Sequence, residues 1–104
     1  MREPAVDLHW ASAKKIDIVV EISRCLGVDA PSMSTGSTEP RRIFELVNER
    51  LGMGLDERLG KPQLARAIVE ASGFAWHPDY ESRGATVTKE GLLAVLGTVQ
   101  FLVR

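Results

Sequence analysis

The chain is poor in several things that would identify a class at once. It has one cysteine among 104 residues, so it has no internal disulfide, and a reducing, cytoplasmic setting is expected. Aromatic residues make up only 6%. No apolar run approaches the 18 or more residues that a spanning helix needs. The N-terminal Met1-Arg2-Glu3-Pro4 lacks the apolar stretch of a secretory signal. Neither charge sign dominates, because 13 basic residues face 14 acidic ones. A global basic field for nucleic acid is therefore absent, as is an acidic excess that would oppose it.

Catalytic and ligand signatures are missing too. The two histidines are His9 and His77. His77 has Asp79 and Glu81 close by as orienters, but no nucleophile-elbow serine accompanies it. Cys25 falls within an apolar helical pattern, where a buried structural thiol is expected. No paired Cys/His set closes a zinc site. Gly54-Leu55-Asp56-Glu57-Arg58 lacks the alternating oxygen ligands of a calcium loop. Gly52-Met53-Gly54 follows a helical pattern and precedes no Lys-Ser or Lys-Thr pair, so it is no phosphate cradle. The expectation is a protein that is not an enzyme and needs no cofactor or metal.

What is present is helical periodicity. With 44% apolar residues and 26% charged, the chain has the make-up of one ordinary globular domain over residues 1–104. Four helices are expected around one core, an all-α compact bundle. The first spans Ser12 to Leu26, capped by Ser12, with Ile16, Val19, Val20, Ile22 and Leu26 inward, Ile18 and Cys25 widening the stripe, and Gly27 ending it. Residues 28–38, rich in small hydroxyls, read as a flexible connector. The second helix begins at Thr38-Glu39-Pro40, with Thr38 or Ser37 as cap, Glu39 suited to the positive end and Pro40 in the first turn. It turns Ile43, Leu46, Val47, Arg50 and Leu51 to one side, with Phe44 adjoining, and stops before Gly52. The third opens at Lys61-Pro62 with Leu64, Ala67, Ile68 and Ala71 inward, and Gly73 ends it. The fourth opens at a Thr88 cap with Leu92, Val95, Leu96, Val99 and Leu102 inward. Its Gly91 and Gly97 weaken it or admit a second backbone.

Between the third and fourth helices, residues 74–87 form a long irregular loop, with one short extended piece at Ala85-Thr86-Val87. It carries Trp76, His77, Tyr80 and Arg83. Nucleic-acid contact is the chemistry this stretch suits. Arg41 and Arg42 open helix two, Lys61 and Arg66 lie on the outer face of helix three, and Lys89 opens helix four. Ser82, Thr86 and Thr88 add phosphate-binding hydroxyls. Trp76 and Tyr80 are able to stack on an unstacked base, and Arg83 to read a guanine edge. The competing reading is a solvated face with intrahelical pairs such as Arg42–Glu45 and Arg66–Glu70. It also makes Phe74 and Trp76 core plugs and Tyr80 a local hydrogen-bonding group. A plain helix-turn-helix is disfavoured, since the gap between helices three and four far exceeds three or four residues.

Three stretches carry a family likeness: Thr38-Glu39-Pro40-Arg41-Arg42-Ile43-Phe44-Glu45-Leu46-Val47, Gly60-Lys61-Pro62-Gln63-Leu64-Ala65-Arg66-Ala67-Ile68-Val69-Glu70, and Ser82-Arg83-Gly84-Ala85-Thr86-Val87-Thr88. Over about residues 36–100 the chain resembles the small helical accessory domains attached to bacterial restriction nucleases. The resemblance implies a DNA-recognition domain whose nuclease lies elsewhere. The alternative expectation is a protein-interaction or dimerisation module. Its motive is the wide stripe of helix one and the run Val99-Gln100-Phe101-Leu102-Val103, which is apolar on more than one face.

Overall fold

The computed structural model describes residues 10, 12–33, 39–82 and 86–103. It is mostly helical, as expected, with one small two-stranded sheet added. Helices α1 (Lys15–Leu26), α2 (Arg41–Arg50) and α3 (Lys61–Ala71) are followed by a 3-10 turn (Pro78–Tyr80). Antiparallel strands β1 (Glu81–Ser82) and β2 (Thr86–Val87) come next, then α4 (Lys89–Leu102). Among the described residues no helix is long and apolar enough to cross a membrane.

The centre of the fold is α4. Gly91, Leu92, Ala94, Val95, Leu96, Gly97, Thr98 and Val99 are all buried, more faces than an amphipathic surface helix hides. Helix α1 packs on it through Ile18, Val19, Ile22 and Leu26, helix α3 through Leu64, Ala65, Ile68 and Val69. Helix α2 adds Ile43, Phe44 and Val47. The buried Thr98 hydroxyl donates to the Ala94 carbonyl at 2.8 Å, which satisfies a polar group in an apolar setting.

Several stripes are rotated from those read in the sequence. Val20 is 49% exposed, while Ile18 is fully buried in its place. In α2, Arg50 is exposed and Phe44 is fully buried. In α3, Ala65 and Val69 point inward and Ala71 is exposed. In each case the buried arc is the one turned towards the neighbouring helices, not the one centred on the residues read from spacing. Leu102, expected inward, is 39% exposed at the end of α4.

The caps differ in detail. Ser12 lies outside α1, whose N-cap is Lys14, and the Lys14 N–H donates to Asp17 Oδ2 at 3.0 Å. Thr38 and residues 34–37, part of the expected connector, lie outside the described residues, and Pro40 stands at the N-cap of α2. Thr88 caps α4 as expected, accepting from the Gly91 N–H at 3.2 Å. The loop from α2 to α3 is pinned by buried Asn48, which accepts from the Leu55 N–H and donates to the Leu55 carbonyl and Glu57.

Candidate nucleic-acid interface

The chemically rich stretch is less of an open loop than its composition suggests. Phe74 is buried in the core. Trp76 is half-buried, and its indole N–H donates to Glu81 Oε1 at 2.8 Å. Tyr80 stands edge-on to both Trp76 and His77, with centroids 5.0 and 5.3 Å away. The three rings therefore form one half-buried cluster on the 3-10 turn. Tyr80 is also fixed through its backbone, whose carbonyl accepts from the Thr88 N–H at 2.9 Å.

The hydroxyls gather just beyond this cluster. Ser82 and Thr86 are register partners of the strand pair, and their hydroxyls are hydrogen-bonded to each other. Thr88 donates to the Asp79 carbonyl at 2.7 Å, so its hydroxyl both closes this segment and caps α4. Lys89 is half-buried in the first turn of α4. Residues 76–82 and 86–89 thus bring Trp76, His77, Tyr80, Ser82, Thr86, Thr88 and Lys89 onto neighbouring described segments. Arg83 lies outside the described residues.

The helix cations are arranged differently. Arg41 reaches Glu45 at 3.0 Å and the Glu57 carbonyl. Arg42 bridges Glu45 at 3.3 Å and Glu49 at 2.9 Å. Arg66 holds Glu70 at 3.1 Å on the exposed side of α3. Lys61 was expected on the outer face of α3. It turns inward, donating to the Glu39 carbonyl at 2.9 Å and lying 3.5 Å from the Glu39 carboxylate. Each of these cations sits beside an acid, so the helix faces carry little net field at the distances a phosphate would sample.

Glu45, Glu49 and Glu57 offer carboxylate oxygens within 4.8 Å of one another. Arg41, Arg42 and Asn48 already engage these oxygens, which accounts for the cluster as an ion-pair network. Cys25 is half-buried, and burial, with Glu21 adding to it, raises its thiol above the ordinary range. A raised thiol is a poor nucleophile at neutral pH. His9 lies outside the described residues.

Sequence reasoning missed the polar centre of the fold. Glu39, read as an acid suited to a helix start, is 1% exposed. Its carboxylate accepts from Lys15 Nζ at 2.9 Å and from the Val87 N–H at 2.6 Å. Burial pushes this carboxyl up, but the bonds from Lys15 and Val87 outweigh it, and it sits below the usual glutamate range. Residues 15, 39 and 87 are far apart in the chain, and no local pattern announces their meeting. No family model matches the chain, nor does any curated protein or solved structure.

Proposed function

We propose that this chain is a non-catalytic DNA-recognition module acting in the cytoplasm, one accessory part of a restriction-type system. The observation that carries the reading is the convergence of residues 76–82 and 86–89: three rings, three hydroxyls and Lys89 on neighbouring segments beside the start of α4. Such an arrangement suits contact with a phosphate backbone and a base edge together. Arg83 belongs to the same stretch of sequence. Arg41, Arg42, Lys61 and Arg66 take at most a secondary part, because their charges are matched within the fold.

The test is fluorescence anisotropy with labelled duplex DNA, plain and base-modified, at two salt concentrations. Saturable binding that weakens with salt supports phosphate contact. Because the helix cations are matched by acids, a shallow salt slope is expected. Arg83→Ala is expected to weaken binding by about 1–3 kcal/mol where Arg83 reads a base. Absence of binding at low salt refutes the reading.

A second reading, a protein-docking module, is favoured by one observation. Phe101, Leu102 and Val103 are 42%, 39% and 43% exposed in succession at the end of α4. A second copy of the chain is the simplest occupant, because an isologous contact uses the same surface twice. Light scattering tests it, and a monomer at high concentration counts against it.

A further inference from the structure

Glu39 is the one ionisable side chain in the buried class among the described residues. What it holds is a strand edge. Strand β2 pairs with β1 on one side, with Glu81 opposite Val87. The N–H of Val87 is bonded to Glu39 Oε1 at 2.6 Å, and its carbonyl accepts from Lys15 Nζ at 2.6 Å. Lys15 and Glu39 are themselves joined at 2.9 Å. An ion pair thus takes the donor and acceptor positions that a third strand would fill. Lys61 backs the carboxylate from α3.

The other bonds of the strand pair, from the Thr88 N–H to the Tyr80 carbonyl and between Ser82 and Thr86, join its two strands to each other. Each strand is two residues long, and a lone two-stranded ribbon is marginal in water. The Val87 side chain is buried, but hydrophobic contact is non-directional. The two bonds to Val87 tie the outer edge of β2 to Lys15 of α1 and to Glu39 ahead of α2. Both are made to charged groups and are stronger than neutral ones.

We propose that the Glu39–Lys15 pair is a two-point clasp that positions β2, and with it the paired strands at residues 81–82 and 86–87, on a helical body that keeps its fold when the clasp opens. Lys15 and Glu39 are positioning residues in this scheme. The link to recognition rests on the DNA reading above, but the clasp itself does not.

Amide hydrogen exchange on the full chain tests it, comparing the native protein with Lys15→Met and Lys15→Arg. Methionine keeps the apolar stem and removes the donor. The Val87 amide in Lys15→Met is expected to exchange at least about tenfold faster, the equivalent of one charge-assisted hydrogen bond. The core amides of α4, at Val95 and Leu96, are expected to change much less. Lys15→Arg restores most of the Val87 protection. Unchanged exchange at Val87 overturns the clasp. So does an equal loss at Val87 and Leu96, or failure of Lys15→Met to fold, because the pair would then support the whole body. No DNA enters this measurement, so the clasp stands or falls separately from the DNA reading.

Discussion

Replacing Gly91 by alanine sets two effects of known size against each other. Gly91 lies in the first turn of α4, and alanine there favours the helix by up to about 1 kcal/mol. A Cβ at this position, however, would lie 2.4 Å from the Tyr80 carbonyl oxygen and 2.7 Å from Val87 Cγ1. Neither neighbour yields cheaply. The Tyr80 carbonyl is held by the Thr88 N–H, and Val87 is fully buried. Overpacking of this kind costs about 1–3 kcal/mol. The overlap is with backbone as well as side chain, which puts the cost towards the upper part of that range. The net expectation is a loss of about 1–2 kcal/mol, from these two terms. For a domain of this size, each kcal/mol lowers the melting temperature by roughly 4–8 °C. Urea denaturation followed by circular dichroism reads it directly. An unchanged or raised midpoint would mean that propensity won, and that the close approach of the turn to α4 does not exist.

The core makes a sharper prediction: Phe44→Ala should cost about 3–5 kcal/mol, since Phe44 is fully enclosed, and urea denaturation measures it. Thr88→Ala removes a helix cap and the bond to Asp79, so a loss of about 1–2 kcal/mol is expected in the same assay. The pH dependence follows from Glu39, whose folded carboxyl is depressed by the hydrogen bonds from Lys15 and Val87. Its contribution is present above the unfolded value of about 4.3 and is lost as pH falls through the lower folded value. Denaturation midpoints between pH 5 and pH 3 should therefore fall less steeply in Glu39→Gln than in the native chain, and parallel slopes would refute this.

Helix positions were legible because capping and stop signals are local. Gly27, Gly52 and Gly73 all take positive φ, and Pro62 and Thr88 stand at helix starts as read. Which arc of each helix faces inward was less legible. Ile18 against Val20, and Ala65 against Ala71, are decided by where α4 lies, which no single helix encodes. The recognition surface divided in the same way. That residues 74–87 are chemically rich was plain from composition. That Lys61 would turn away from solvent towards Glu39 was not, because its partner is brought close only by the packing of α1 and α2 on the rest.

The burial of α4 on nearly every face has a consequence for synthesis. Helices α1 and α3 are made before it, and each emerges with an apolar arc that α4 later covers. At about 5–20 residues per second the delay is short, but during it Ile18, Leu64 and Ile68 have no native partner on α4. Until α4 is available, the contacts open to the nascent chain are those of α2 with α1 and α3. A ribosome stalled before residue 92 is therefore expected to hold a polypeptide whose uncovered apolar faces on α1 and α3 invite a holdase chaperone.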